Sequence, residues 1–187
     1  MSDLIVNLIK KNCKSYGISV QLEETEFIMI NKIPVSGYFS ETESIIRVAI
    51  QKPVDQWLPI LIHEYCHFLQ YIEQAEVYRK LIIDGQNANS LLDDWLNHKI
   101  ELSPEKLDKI IEVIFNLEKD CELRTISMLK DFNLNIDISV YIQKANSYLN
   151  LYKDLKNTRS WPQYERMPYF NYNNYKNMES KSLIDFF

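Results

Sequence analysis

The sequence predicts an α+β fold, in which an N-terminal helix and a small mixed β-sheet precede a helical C-terminal half. Apolar residues recur with helical spacing over residues 3–14 and again over most of residues 56–155. Between these regions lie short segments rich in β-branched residues, and Gly and Pro separate them. With 187 residues, of which 46% are hydrophobic, the chain is large enough to bury one core.

The sheet is predicted from three extended segments that follow the opening helix, which Gly17 ends. These segments cover residues 18–22, 27–33 and 44–50, and the last is the richest in β-branched side chains. Residues 34–39 (PVSGYF) are predicted to form a turn that leads into another short strand. The expected sheet therefore has three or four strands.

The helices that follow the sheet are predicted from residues that cap their N-termini. Asp55, Ser103 and Asp137 are each placed to accept a hydrogen bond at the first turn of an amphipathic stretch. Pro104 follows Ser103 at the position where proline is best tolerated in a helix. The predicted helices cover residues 56–73, 76–83, 90–98, 104–130 and 138–155.

Residues 1–156 are expected to form one domain, and residues 157–187 a Tyr/Asn-rich tail that packs on or near it. The tail has no sustained apolar period, and Pro162 and Pro168 interrupt regular structure. The lack of regular apolar spacing in this tail argues against a second domain.

The composition argues against two classes of partner. A net charge of −5 and a pI near 5.3 disfavour nucleic acid, because neutralising phosphates needs a basic face. No apolar run is long enough to cross a membrane, and the N-terminal apolar patch lacks the flanks of a signal peptide. Cys13, Cys66 and Cys121 are odd in number and far apart, which indicates reduced thiols and predicts a cytoplasmic protein.

Residues 63–67 read His-Glu-Tyr-Cys-His, which is the HExxH pattern. Residues four apart on a helix face the same way, so the imidazoles of His63 and His67 can converge on one metal ion. Glu64 follows the first histidine, which places its carboxylate where it can take a proton from a metal-bound water. The pattern predicts zinc held by His63 and His67, with Glu64 as general base. The alternative is that both histidines are ordinary surface or core residues.

A catalytic zinc usually has three protein ligands and keeps the fourth position for water. The long predicted helix carries Glu118 in the middle of its apolar stripe, where an unpaired carboxylate is costly and a metal would explain it. A buried ion pair would explain it as well. Glu122, one turn later, is the backup ligand or an acid that orients one of the histidines. Cys121 lies about 60° from Glu118 around the helix and is a less favoured ligand.

At this point the chain resembles a known family. The motif at residues 63–67, followed by a glutamate on a later helix, resembles the gluzincin branch of the zincin-like metallopeptidases. The pair Glu118 and Glu122 resembles the Glu-x-x-x-Asp helix of that branch, in which the first acid binds zinc and the second supports a ligand histidine. With Cys121 in the small position, the stretch is also similar to small intracellular metallopeptidases that cleave repressors.

The order of elements from residue 35 to residue 130 is similar to that of uncharacterised metallopeptidase-like proteins encoded by bacteriophages. The resemblance implies a zincin-like fold in which strand 44–50 is the sheet edge above the cleft and binds an extended peptide by strand addition. The alternative is that this strand is simply part of the core.

The sequence therefore predicts a zinc metallopeptidase that hydrolyses peptide bonds through a metal-activated water and acts on a peptide or protein. Two alternatives stay open. One is a zinc hydrolase of a non-peptide amide or ester, and the other is a non-catalytic phage interaction protein that keeps a zinc site for structure. The intact Glu64 favours an enzyme, because a structural zinc site has no need of that carboxylate. The sequence indicates no particular oligomeric state.

Overall fold

The computed structural model describes residues 2–30, 33–163, 167 and 172–186. Its helices and small sheets make a mixed α+β protein, which confirms the predicted fold class. The zincin-like form of that class stays a prediction.

The chain divides into two compact units. Unit 1 comprises Met1–Glu73 and Arg124–Ile136, and unit 2 comprises Gln74–Leu123 and Asp137–Phe187. The domain boundary predicted after residue 156 stays a prediction.

Unit 1 combines two helices and five strands with the C-terminal end of a third, long helix. Its elements are α1 (Ser2–Ser15), β1 (Ser19–Glu23), β2 (Ile28–Ile30), β3 (Ile33–Val35), β4 (Gly37–Ser40), β5 (Ile45–Ala49) and α2 (Val54–Ile72). The main sheet has the strand order β1-β5-β4, in which β1 runs parallel and β4 antiparallel to β5. Strands β2 and β3 form a separate antiparallel pair.

The position of β5 corrects one expectation. Strand 44–50 was expected at the sheet edge, but β5 lies in the centre and pairs on both sides. The reason is that β1 pairs with it in parallel on one side and β4 pairs with it antiparallel on the other, while Ile46 and Val48 are buried on its face. The two edge strands of this sheet are β1 and β4. Ala49 N donates to Ser36 O at 2.9 Å, so Ser36 and Ala49 are a hydrogen-bonded pair of the ladder. In an antiparallel ladder such pairs alternate with pairs that form no hydrogen bond. The backbone groups of Gly37 and Phe39, which belong to the second kind, therefore point away from β5.

Two other boundaries in unit 1 differ from the predictions. The segment 27–33 is not one strand, since β2 ends at Ile30 and β3 begins at Ile33 and runs through Pro34. Proline is tolerated there because only one neighbouring strand pairs with β3. The cap of α2 is Pro53 rather than Asp55, which lies inside the first turn and places an acid at the positive end of the helix.

The helix α2 packs against β4 and β5, and its Ile60 side chain comes close to Gly37 of β4. A Cβ on Gly37 would lie 2.9 Å from Ile60 Cγ2 and 3.0 Å from Arg47 O. Because Ile60 precedes His63 by one helical turn, this contact fixes the edge strand β4 beside the start of the HExxH segment.

Gly37→Ala is therefore expected to destabilise the protein by about 1–3 kcal/mol, because the new methyl overlaps a side chain and a backbone carbonyl. The measurement is the free energy of unfolding in urea. Gln21→Ala, at an exposed position of β1, is the control and is expected to change it by less than about 0.5 kcal/mol. A Gly37→Ala protein as stable as the wild type would contradict the close approach.

Unit 2 is mainly helical. Its elements are α3 (Glu76–Arg79), β6 (Ile82–Ile83), β7 (Gln86–Asn87), α4 (Ala88–Leu96), α5 (Pro104–Asp131, whose last turns belong to unit 1), α6 (Ile138–Thr158) and α7 (Tyr172–Tyr175). The predicted caps Ser103 and Asp137 are confirmed, since each accepts backbone N–H bonds from the first turn of its helix.

The helix predicted over 76–83 is wrong in its second half. It ends at Arg79, and residues 82–87 form a tight hairpin in which Ile83 pairs with Gln86. Asp84 and Gly85 both have positive φ, 51° and 77°, which is the geometry of a type I′ turn. The Asp-Gly dipeptide therefore outweighs the helical spacing of the residues before it.

The described part of the C-terminal segment packs on α5 and α6 within unit 2. The fully buried Asn146 donates from Nδ2 to Glu179 O and Ser182 O and accepts from Ile184 N at Oδ1. Lys119 pairs with Asp185, next to the end of the described chain.

Cys13, Cys66 and Cys121 are buried thiols, and none of them forms a disulfide. No helix in the described part of the chain combines the length and the apolarity that crossing a membrane requires.

Candidate functional site

The candidate site lies on α2, the most apolar of the longer helices. Its buried face, which includes Leu61, Ile62 and Phe68, holds the helix on the sheet of unit 1. His63 and His67 lie on the opposite, partly exposed side of the helix, one turn apart. Packing thus fixes the direction in which both imidazoles point.

The two imidazoles converge through the same atom. The Nε2 atoms of His63 and His67 are 3.1 Å apart, and the rings meet nearly edge to face at 84°. Two nitrogens bound to one tetrahedral zinc at about 2.05 Å are about 3.3 Å from each other. The histidine pair therefore fits the donor geometry of a zinc ion without rearrangement of the helix.

His67 has a second bond on its other ring nitrogen. His67 Nδ1 lies 2.9 Å from Gln70 Oε1, three residues later on the same face of α2. The side chain of Gln70 is 0% exposed. A histidine that binds metal usually donates its remaining N–H to an acceptor of this kind.

Glu64 is buried, with 8% of its surface exposed, although it lies beside two partly exposed histidines. Burial of a carboxylate costs free energy unless charge or hydrogen bonds compensate it. A cation held by the neighbouring imidazoles would supply such compensation. The burial of Glu64 is therefore consistent with a metal at this position.

The two middle residues of the motif have packing roles. Tyr65 accepts a hydrogen bond from Asn12 Nδ2 of α1 at 2.7 Å, and burial raises the pKa of its phenol to about 12. Cys66 is fully buried, and its Sγ lies 3.9 Å from Met128 Sδ on α5. These contacts hold α2 on both sides, and the Cys66 thiol fills space in the core.

Two contacts within unit 1 join α2 to the last turns of α5. Besides the contact of Cys66 with Met128, Arg124 Nη1 bonds Glu73 Oε2 at 2.7 Å. Since α5 is one continuous helix, residues 118–122 come between about half a turn and two turns before Arg124. This helix carries the residues that the sequence offers as a third ligand.

The acids predicted on α5 are both buried. Glu118 is 8% and Glu122 is 5% exposed, and the apolar stripe predicted around Glu118 is buried as well. Tyr141 on α6 donates from its hydroxyl to Glu122 Oε2 at 2.6 Å. This bond orients the carboxylate of Glu122.

Among the described residues, one set of three side chains has the spacing of a metal site. It consists of His63, His67 and Cys121, whose ligand atoms all lie within 4.8 Å of one another. The thiol is therefore a candidate third ligand. The assignment of Glu118 as that ligand stays a prediction, as does the supporting role of Glu122.

Gln70 is the site residue that the sequence reasoning missed. The signal that could have identified it is its spacing, because a polar residue three positions after a ligand histidine shares its helical face.

Comparisons of the chain with protein-family models, with curated proteins and with solved structures gave no match. The resemblance to gluzincins and to phage-encoded metallopeptidase-like proteins stays a prediction. The function has to be inferred from the chemistry of the site residues.

Proposed function

We propose that this protein is a zinc-dependent hydrolase that cleaves peptide bonds. His63 and His67 hold the zinc with a third ligand from α5, and Glu64 is the general base. The observation that carries the proposal is the convergence of the two Nε2 atoms to 3.1 Å beside a buried carboxylate on the same helix.

When bound, zinc supplies Lewis acidity and makes a water molecule a strong nucleophile near neutral pH. In this role Glu64 would accept a proton from the attacking water on its carboxylate and pass it to the nitrogen of the leaving group. His67 is oriented for its role by Gln70.

The edge strand β4 supports a peptide over other substrates. It packs on α2 near Ile60, and the backbone groups of Gly37 and Phe39 point away from β5. None of the described strands pairs with that side of β4. An extended peptide could add there as a further strand and lie alongside the helix that carries Glu64.

The three reduced thiols support an assignment to the cytoplasm, which belongs to this proposal. A hydrolase of non-peptide amides or esters would use the same zinc and the same Glu64. If the protein hydrolyses such compounds and does not hydrolyse peptides, the proposed substrate class is wrong and the proposed metal site is unaffected.

The proposal is tested first by metal content. Protein purified after growth with added zinc is expected to carry about one zinc per chain, measured by inductively coupled plasma mass spectrometry. His67→Asn should lose this zinc. His98→Asn is the matched control, because His98 is exposed and has a positive φ of 58° that asparagine tolerates. Wild-type protein that is metal-free and takes up no zinc on titration would overturn the proposal.

A further inference from the structure

Gln70 is a polar side chain in a place where polarity is costly. It lies in the interior of α2, and its side chain is completely buried. A buried amide without hydrogen bonds is costly in free energy, so a glutamine at such a position is expected to be bonded to its surroundings. One of its bonds is the 2.9 Å contact between Gln70 Oε1 and His67 Nδ1.

This bond determines where the proton of the neutral His67 ring lies. An amide oxygen can only accept, so Nδ1 must be the nitrogen that carries the hydrogen. The Nε2 atom then keeps its lone pair. Nε2 is the atom that faces His63 Nε2 at 3.1 Å, and it is the atom that would bind the metal.

We propose that Gln70 is a positioning residue of the metal site, which holds His67 in the Nδ1–H tautomer and fixes the direction of its Nε2 lone pair. This inference rests on the proposed function, because the benefit of the tautomer is metal affinity. Without Gln70, part of the His67 population carries its proton on Nε2, and that proton has to leave before a metal can bind there.

The position of Gln70 on the helix strengthens the case. Residues three apart on a helix are neighbours on its surface, so the bond needs no movement of the backbone. Both side chains belong to the same rigid element, and the buried amide has few alternative conformations. His67 is thus oriented before a metal arrives, which lowers the free energy needed to organise the site.

The test compares Gln70→Met with Gln70→Glu. Methionine has a similar volume but no acceptor of comparable strength, and it is expected to lower the zinc affinity of the metal-free protein by about 10–100-fold. Glutamate keeps an acceptor in the same place and is expected to restore most of that affinity. Gln56→Met, at an exposed position in the first turn of α2, is the control and should leave the affinity unchanged.

A second measurement does not depend on metal. Long-range ¹H–¹⁵N correlation spectra of the metal-free protein, at a pH where imidazole is neutral, report which ring nitrogen of His67 is protonated. The wild type and Gln70→Glu are expected to show Nδ1–H, and Gln70→Met is expected to show a mixture. A purely structural role for Gln70 would change the thermal midpoint but would leave the tautomer as it is.

The outcomes separate the two proposals. Wild-type protein in which His67 carries its proton on Nε2, or a Gln70→Met variant with unchanged tautomer and zinc affinity, overturns the role of Gln70 and leaves the metal site standing. Wild-type protein that binds no zinc overturns the proposed function. In that case the spectra still decide whether Gln70 sets the tautomer. If the wild type shows an Nδ1–H signal and Gln70→Met loses it, Gln70 sets the tautomer of His67 even without a metal.

Discussion

Glu64→Gln is expected to lower peptide hydrolysis by about 10²–10⁴-fold, which is the range of a general acid–base contribution. Glutamine keeps the size and shape of the buried side chain but cannot accept the proton of the attacking water. Zinc content and thermal midpoint should stay close to those of the wild type, because Glu64 lies beside the ligands and is not one of them. The substrate for the kinetic measurement comes from a fluorogenic peptide library.

The control for this experiment is Glu112→Gln, which makes the same change at an exposed position of α5. It should leave turnover unchanged. Inhibition of the wild type by a chelator and by a zinc-binding hydroxamate shows that the measured hydrolysis belongs to the metal site. If Glu64→Gln cleaves such a substrate at the wild-type rate, the base is another group and the proposed role of Glu64 is wrong.

The parts of the fold that the sequence predicted correctly depend on nearby residues. Helix starts at Ser103 and Asp137 follow from side chains that bond the next few backbone groups. The approach of His63 to His67 follows from their spacing of four on one helix. The hairpin at Asp84 and Gly85 is equally local, and it was missed because helical spacing was given more weight than the turn dipeptide.

The order of the strands could not be predicted in the same way. Strand β4 is the close neighbour of β5 in sequence, so residues 44–50 lie in the centre only because β1 also pairs with them, and residues 24–44 separate β1 from β5. The burial of Ile46 and Val48 was readable from the sequence, but an edge strand can also bury one face. Pairing partners are set by packing across the whole unit, so the resemblance placed this strand wrongly.

The third ligand, like the order of the strands, could not be predicted because it depends on packing between elements that are distant in sequence. Successive residues on α5 point about 100° apart, so a small rotation of the helix about its axis exchanges one donor for another. The sequence shows that Glu118, Cys121 and Glu122 are candidates. It does not fix that rotation, which depends on how side chains such as Arg124 and Met128 pack against α2.

Glu118→Ala is expected to lower zinc affinity by more than about 100-fold, which exceeds the loss typical of a residue that only supports a ligand. Glu122→Ala should lose about 10–100-fold, since Tyr141 holds that carboxylate as a supporting acid. The reason for the ranking is that hydrolytic zinc sites are commonly built from two histidines and one glutamate, and Glu118 is buried on the apolar stripe of α5. Affinities are measured by competition with a chromophoric chelator.

Cys121→Ser is the decisive companion variant, because the thiol belongs to the set of potential ligands with His63 and His67. If Glu118 is the ligand, Cys121→Ser keeps zinc affinity within about tenfold of the wild type, a smaller change than the loss of a supporting group usually causes. The cobalt-substituted wild type then lacks the intense near-ultraviolet band of a cobalt–thiolate bond. A strong band that disappears in Cys121→Ser, together with tight zinc binding by Glu118→Ala, would show that the sequence chose the wrong residue and that the thiolate completes the site. The histidine pair and Glu64 would keep their proposed roles in that case, because neither depends on which side chain of α5 is the third ligand.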